Sequence, residues 1–160
     1  MKKIILIRHA KASLEYYLND FDRPLLEVGI DKSIKVAHKS KLFIDHDSLI
    51  ISSSSKRTSE TAKIFLEHWN IDITKATFLK SLYTFDVNQL EQIVKSSSNS
   101  YNNLILFGHN SAITDFVNKF GDIFIDNVPT SGFVSIIFET TSWDDINRGK
   151  TNKIIFPRDI

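Results

Sequence analysis

The chain has 160 residues, with 42% hydrophobic and 24% charged residues, a formal net charge of +1 and no cysteine. A chain of this length can bury a core without disulfides or a structural metal, so a single globular domain over residues 1–160 is expected. The near-neutral charge argues against non-specific nucleic-acid binding, and the absence of cysteine excludes disulfides, thiolate catalysis and cysteine-ligated metal centres.

The N-terminal apolar run, Lys2–Ile7, is too short for the core of a signal peptide and predicts a strand buried on both faces of a parallel sheet. No segment elsewhere is apolar for long enough to span a bilayer. We therefore expect that the protein does not bind membranes and that it is cytoplasmic. Apolar positions at helical spacing follow, with Pro24 at the entrance, and predict a helix from about Leu26 to Lys41. Residues 48–51 predict the second strand.

The segment after this strand begins with a serine cluster, Ser52–Ser55, whose hydroxyls are suited to cap the start of a helix. A weak strand pattern at 77–79 and an amphipathic pattern over 87–94 predict a further strand and helix. The helix after the serines is indicated by four apolar residues at positions i, i+3, i+4 and i+7, which are Ala62, Phe65, Leu66 and Trp69.

The last third of the chain begins with another apolar run, Leu104–Phe107, which is closed by Gly108-His109 and followed by a helical pattern over 113–120. Residues 132–138 and 153–156 are candidate strands with no long helical pattern between them, so an antiparallel strand is expected in this part of the sheet. Strands that alternate with helices predict an α/β protein, a three-layer α/β/α sandwich with a mostly parallel central sheet.

Basic and imidazole side chains follow the apolar runs, at the predicted carboxyl ends of the strands. Arg8 and His9 follow the first run, Arg57 lies near the start of the helix after the second, and His109 ends another. Ligands bind beyond the carboxyl ends of strands in such sheets. These three turns contain no acidic residue, so they predict a site for a compact, doubly charged anion such as a phosphoryl group, which arginine forks and helix N-termini bind well.

The remaining histidines are His38, His46 and His68, and they are predicted to be solvated because none has a partner at metal-ligand spacing. No metal site is therefore expected. Four aromatic residues are expected in the core or at its edge, and these are Tyr16, Tyr17, Trp69 and Trp143.

Several short motifs follow one another over nearly the whole chain. They are Leu6–Ala10, Asp22–Leu25 with Gly29, Ser52–Ala62, Leu82-Tyr83, Gly108–Asn110, Val128–Ser131, Trp143 and Phe156–Ile160. In order and spacing this set resembles the histidine phosphatase (phosphoglycerate mutase-like) superfamily, and more closely its SixA-type phosphohistidine phosphatases. Two positions depart from the family pattern, since Ala10 stands where Gly is usual and Ser54 stands where many relatives have Pro.

The resemblance implies a phosphoglycerate mutase-like fold and a hydrolase that needs neither a metal nor another cofactor. It implies that His9 is the nucleophile, which attacks phosphorus and forms a phosphohistidine intermediate that water then cleaves. Arg8, Arg57 and His109 would bind the three equatorial oxygens of the phosphate and match its charge in the transition state. Arg23 would contact the substrate from the rim.

The resemblance also bears on the substrate. Members of the superfamily that cleave phosphate esters usually carry an acidic residue after the helix that begins near Arg57, because an alkoxide leaving group must be protonated. Residues 78–83 contain no carboxylate, and Asp86 fits an N-cap of the next helix. An imidazole leaving group, with a parent pKa of about 6.5, needs little protonation. The expected substrate is therefore phosphohistidine on a protein, such as a phosphotransfer domain or a similar carrier.

Two alternatives remain at this stage. The chain could be a phosphatase or mutase for small phosphate esters, with Asp86, Glu91 or another carboxylate as the acid. It could also be a non-catalytic phosphate-binding interaction module that keeps the arginines but turns over negligibly. Against the first stands the lack of the long insertions that close over small substrates in larger relatives, which favours an open pocket.

Overall fold

A central sheet lies between two pairs of α-helices in the computed structural model, which describes residues 1–15, 17 and 19–160. The predicted α/β/α sandwich is confirmed. In these described residues the strands are β1 (Lys2–Arg8), β2 (Leu49–Ser53), β3 (Ala76–Leu79), β4 (Asn103–Gly108), β5 (Phe133–Phe138) and β6 (Lys150–Ile155). The helices are α1 (Glu27–Ser40), α2 (Lys56–His68), α3 (Val87–Lys95) and α4 (Ala112–Phe120).

The strand order in the sheet is β3-β2-β4-β1-β5-β6. Neighbouring strands from β3 to β1 are parallel, whereas β5 is antiparallel to both β1 and β6. The expected antiparallel strand near the end of the chain is therefore confirmed as β5. The carboxyl ends of β1, β2 and β4 meet at one edge of the sheet, which is called the carboxyl edge below.

The two faces of the sheet carry separate apolar cores, because successive side chains of a strand point to opposite faces. On β1, Ile4 and Leu6 pack in the cluster that includes α3 and α4. Ile5 and Ile7 pack in the cluster that includes α1 and α2. This covering of both faces explains why the first strand is apolar at consecutive positions.

Helix α1 agrees closely with the predicted bounds, but small residues form its buried face. Ile30 and Ile34 are only half-buried. A side chain on Gly29 would meet the main chain after β1, since a Cβ there would lie 2.5 Å from the carbonyl oxygen of Lys11. The first turn of α1 thus packs directly on the segment that leaves the carboxyl edge. The buried positions of α1 are Gly29, Ser33, Val36, Ala37 and Ser40.

Of the four aromatic residues expected in or near the core, Trp69 and Trp143 are fully buried, as predicted. Tyr17 is exposed, and Tyr16 lies outside the described residues. In the described part of the chain, no helix combines the length and the apolar character needed to cross a membrane. The single domain over residues 1–160 and the cytoplasmic location stay predictions.

Candidate active site

His9 is the first residue beyond β1, where it lies buried at the carboxyl edge. Its Nδ1 is 2.8 Å from the carbonyl oxygen of Ala10, and because a carbonyl only accepts, Nδ1 carries the proton and donates it. Burial is the main cause that lowers the pKa of His9 to about 4; the bond to Ala10 opposes this effect, and neighbouring arginines, Arg57 foremost, add to it. The ring is therefore neutral at pH 7, with an electron pair on Nε2.

Arg57 lies in the first turn of α2, and its side chain is buried. Its Nε–H donates to His9 Nε2 at 3.4 Å, and its Nη2 donates to His109 Nδ1 at 3.3 Å. A cation in the first turn opposes the helix dipole, so this position is unfavourable unless an anion compensates it. The structure supplies one anion, the carboxylate of Asp20, whose Oδ2 is 3.0 Å from Nη2.

His109 follows β4, and its ring centroid is 5.3 Å from that of His9. Burial is the largest cause that lowers the pKa of His109 to about 3, followed by the charges of His9 and Arg57. Because Nδ1 accepts from Arg57, the proton of the neutral ring lies on Nε2 in this structure, and the hydroxyls around Nε2 accept it. The same hydroxyls can also donate, so they would suit the other tautomer if Arg57 moved away from Nδ1. Three hydroxyls surround Nε2: Ser53 Oγ at 2.9 Å, Thr58 Oγ1 at 3.3 Å and Ser55 Oγ at 3.5 Å.

Two serines of the cluster before α2, Ser53 and Ser55, contact His109 rather than cap the helix. Ser55 is the N-cap residue of α2, but no side chain caps the helix. The Ser55 hydroxyl instead lies 2.9 Å from Thr58 Oγ1 and also reaches His109, and Ser53 lies within β2. The prediction that these hydroxyls cap the helix is therefore wrong, because a buried imidazole nitrogen competes for them.

Arg8 is the last residue of β1, and a returning loop holds it in place. Its Nη1 donates to the carbonyl oxygen of Val128 at 2.9 Å. The amide of Ser131, which has a φ of 63°, donates to the carbonyl oxygens of Arg8 and His9 at 3.1 and 3.2 Å. The Nε–H of Arg8 is buried without a hydrogen-bond partner among the described residues. A buried donor without a partner is costly, so an anionic ligand at this point would be stabilising.

Asp20 is the site residue that the sequence analysis missed. It begins a one-turn 3₁₀ helix, residues 20–22, in the loop between β1 and α1. Its Oδ2 also accepts from the Tyr83 hydroxyl at 2.5 Å, and its Oδ1 accepts from Arg23 Nη1 at 2.9 Å. Partial burial works to raise the pKa of Asp20, but the hydrogen bonds from Tyr83, Arg23 and Arg57 outweigh it and hold the pKa well below its usual range. The available signal was the position of Asp20 three residues before Arg23, the residue that directly follows this short helix.

The structure brings the predicted residues to one cleft of about 310 Å³ at the carboxyl edge. The cleft is lined by Arg8, His9, Arg23 and Arg57. His109 is not part of this lining, but it contacts the side chain of Arg57. The cleft therefore combines a neutral imidazole with several guanidinium groups, which is suited to binding and attacking a phosphoryl group.

The mouth of the cleft is partly apolar. Leu14 and Phe85 line it, with 82% and 50% of their surfaces exposed. The Phe85 ring also packs edge-on against His109, with the ring centroids 5.4 Å apart. Exposed large apolar residues around a charged pocket are typical of a surface that contacts a macromolecule.

The other histidines contribute nothing to the cleft. His38 and His46 are exposed, as predicted. His68 is half-buried instead, and its Nδ1–H donates to the carbonyl oxygen of Ile64 at 2.8 Å. Among the residues that the structure describes, no three His, Asp or Glu side chains form a group that could hold a metal ion.

The two carboxylates considered as alternative acids have partners elsewhere. Asp86 caps α3, as predicted, by accepting from the amide of Asn88 at 3.0 Å. Glu91 forms ion pairs with Lys119 and Lys95, and its hydrogen bond from Lys119 is the main cause that lowers its pKa. Neither residue lines the cleft.

Comparison with known proteins gives one family and several similar folds. A family model described as the histidine phosphatase superfamily (branch 1) matches residues 4–104. The structure is similar to that of the protein histidine phosphatase SixA complexed with tungstate, with a TM-score of 0.80 and 20% identity over 98% of each chain. No curated protein matches the chain by sequence.

Two further solved structures resemble the chain in the same way. The putative phosphohistidine phosphatase SixA from Agrobacterium tumefaciens has a TM-score of 0.76 and 19% identity, over 96% of this chain and 97% of that one. A putative alpha-ribazole-5'-P phosphatase from Escherichia coli has a TM-score of 0.72 and 11% identity over 98% of each chain. At these identities the likeness establishes the fold.

Proposed function

Because the chain belongs to the histidine phosphatase superfamily (branch 1) and is therefore a phosphatase, we propose that it removes the phosphoryl group from phosphohistidine on a protein, through a phosphohistidine formed on His9. The observation that carries the proposal is the state of the His9 ring. Its Nδ1–H is held by the Ala10 carbonyl, and its Nε2, which keeps an electron pair, lies beside Arg57 Nε. A nucleophile needs this combination of a neutral ring and a defined orientation.

In the first step, His9 Nε2 attacks phosphorus in line, and the bond from phosphorus to the substrate nitrogen breaks with its electron pair on the leaving imidazole. Arg8 and Arg57 bind the equatorial oxygens. When a phosphate oxygen comes between Arg57 Nη2 and His109 Nδ1, His109 can donate to it from Nδ1, because the hydroxyls around its Nε2 can then act as donors. In the second step, water attacks phosphorus, the bond to His9 breaks, and inorganic phosphate and neutral His9 are released. Catalysis of this kind depends on positioning and on charge stabilisation.

The protonation of the nearby carboxylates supports a phosphorus–nitrogen bond as the target. Asp20 lies in the cleft, but its depressed pKa means that it has no proton to donate at neutral pH. Asp86 and Glu91 have other partners outside the cleft. An imidazole leaving group needs the least help from an acid, whereas an alkoxide needs it most.

The shape and chemistry of the mouth support a protein as the carrier of the phosphohistidine. The exposed side chains of Leu14 and Phe85 flank the cleft, where a sugar phosphate has no apolar surface to bury against them. A histidine on the surface of a folded protein would bring such a surface with it.

Trapping of the covalent intermediate tests the proposal. A carrier protein labelled with ³²P on histidine should leave an acid-labile, base-stable label on the native chain. The label should be absent from His9→Ala, which keeps its affinity for inorganic phosphate, whereas Arg57→Ala should lose both label and affinity. His38→Ala, a change at an exposed histidine, is the matched control and should label normally. A native chain that binds phosphate but stays unlabelled would instead favour a binding module.

The carboxylate of Asp20 in the cleft favours one second candidate, a phosphatase for small phosphate esters. If a sugar phosphate or p-nitrophenyl phosphate bound so that Asp20 became protonated, this residue could serve as the acid. Comparison of kcat/KM for such esters with that for a phosphohistidine protein separates the two functions. Faster turnover of the esters would reject the assignment of phosphohistidine as substrate.

A further inference from the structure

The guanidinium of Arg57 has two edges, and they have different partners. The inner edge, Nε with Nη2, faces the two imidazoles, since Nε donates to His9 and Nη2 donates to His109. The outer edge, Nη1 with Nη2, is bound by Asp20, through its backbone carbonyl at 2.6 Å and its carboxylate at 3.0 Å. Binding of the outer edge leaves the inner edge directed at the position where a phosphoryl group would meet His9.

Asp20 is itself held from the other side. Arg23 and the Tyr83 hydroxyl each bind its carboxylate, and the Nε of Arg23 donates to the carbonyl oxygen of Ser13. Almost half of the Asp20 side-chain surface is nevertheless exposed. The carboxylate is thus fixed in orientation while it remains at the rim of the cleft.

The charge of Asp20 also matters to the anion that binds beside it. The cleft is lined by Arg8, Arg23, Arg57 and Lys11, and Asp20 is the only acidic residue among its lining side chains in the described part of the chain. A carboxylate close to Arg57 lowers the attraction of the cleft for any dianion. Inorganic phosphate, the product of the reaction, is such a dianion.

We propose that Asp20 is a positioning residue, which holds Arg57 with its Nε–Nη2 edge toward His9 and His109 and weakens the binding of product phosphate. The inference rests on the proposed function only in that the site transfers a phosphoryl group to His9. It assigns Asp20 no proton transfer, because its two oxygens already accept from three donors. Its role is exerted through Arg57.

The variant Asp20→Asn keeps the size of the side chain and removes its charge. We expect kcat to fall by about tenfold or more, since small misplacement of a positioning group costs rate steeply. We expect the dissociation constant for inorganic phosphate, measured by calorimetric titration, to decrease by about threefold, the scale of one half-exposed charge interaction. The distinctive result is that turnover falls while phosphate affinity rises, because mere loss of site structure would weaken both.

Two variants separate orientation from charge. Tyr83→Phe removes a donor to Asp20 but keeps the carboxylate, so kcat should fall less and phosphate affinity should not rise. Asp22→Asn also removes a carboxylate from this 3₁₀ helix, but Asp22 is exposed and does not line the cleft. This variant should change neither kcat nor phosphate affinity. A change in Asp22→Asn equal to that in Asp20→Asn would overturn the inference, as would an Asp20→Asn variant with both quantities unchanged or both weakened.

A measurement without substrate keeps this inference distinct from the proposed function. The Arg57 Nε–H resonance, identified by its loss in Arg57→Lys, should be sharp and slow to exchange in the native protein, and broad or rapidly exchanging in Asp20→Asn. An unchanged resonance would show that Asp20 does not position Arg57. This readout and the phosphate titration remain informative even if phosphohistidine proves not to be the substrate.

Discussion

His9 and His109 are neutral for a shared reason, since each ring is buried beside cationic groups. These surroundings lower the pKa values to about 4 and about 3, mainly through burial. Both imidazoles also make specific hydrogen bonds on one side, His9 to a carbonyl and His109 to hydroxyls. The same burial that keeps both rings unprotonated therefore makes the folded state sensitive to acid.

The acid sensitivity has a definite direction. In the unfolded chain a histidine has a pKa of about 6.5, so between about pH 6.5 and pH 4 the unfolded state binds protons that the folded state does not. The stability contribution of the two neutral rings is complete above about pH 6.5 and decreases as the pH falls toward the folded-state pKa values. Urea unfolding at a series of pH values should therefore show that the free energy of unfolding decreases as the pH is lowered from about 6.5 to about 4.

The double variant His9→Asn, His109→Gln removes both titrating groups from the cleft. Its free energy of unfolding should depend less steeply on pH between about 6.5 and 4.5 than that of the native chain. A slope equal to that of the native chain in this range would show that the two imidazoles do not control acid stability.

At the scale of elements, the contact between α1 and the segment after β1 connects the fold to the site. The amide of Leu26 donates to the carbonyl oxygen of Lys11 at 2.9 Å, and Gly29 lies against the same peptide unit. A Cβ at Gly29 would also lie 2.8 Å from the Lys11 amide nitrogen. Because these neighbours are backbone atoms, they cannot rotate away from an added methyl group.

Gly29→Ala should therefore destabilise the protein, although alanine favours a helix by about 1 kcal/mol over glycine. The expected loss is about 1–3 kcal/mol in the free energy of unfolding, the usual cost of overpacking. Urea unfolding measures it. Asp31→Ala, at an exposed position of the same helix, is the control and should stay within about 0.5 kcal/mol of the native value. A stabilised Gly29→Ala variant would contradict the close packing.

At the scale of the whole molecule, exposed leucines lie at both edges of the sheet, but of Leu14 and Leu42 only the one at the carboxyl edge lies beside the cleft. Leu14 lies at the mouth of the cleft, at the carboxyl edge. Leu42 is 91% exposed and follows α1 at the other edge, where the adjacent Phe43 carbonyl accepts from Lys3, near the start of β1. The two leucines thus form a matched pair for testing the direction from which a protein carrier approaches.

Leu14→Ser should lower the ratio of kcat/KM for a phosphohistidine protein to that for a small phosphoramidate. The expected decrease is about tenfold, which corresponds to about 1.4 kcal/mol. Burial of one leucine side chain against a protein can contribute this much free energy. Leu42→Ser should leave the ratio unchanged. Equal ratios in the native chain and in Leu14→Ser would show that the carrier does not contact this part of the mouth.

The sequence by itself determined the order and type of the main elements and the family. Hydrophobic periodicity reports how each position is buried, so it identified the strands around Lys2–Ile7 and Leu104–Phe107 and the helix around Arg57. It also placed Arg8, His9, Arg57 and His109 together, because carboxyl ends of parallel strands meet at one edge. Their roles as nucleophile and phosphate ligands stay predictions.

Only the tertiary structure decided which side chains touch. Asp20 and Arg57 are 37 positions apart, and Asp20 and Tyr83 are 63 apart, so no local pattern relates them. The hydroxyl of Ser55 fits a helix cap by its local sequence, but it bonds to His109 because that ring is buried against it. Hydrophobic periodicity encodes the burial of single residues, whereas contacts between side chains depend on how distant segments pack. This packing places the carboxylate of Asp20 beside Arg57.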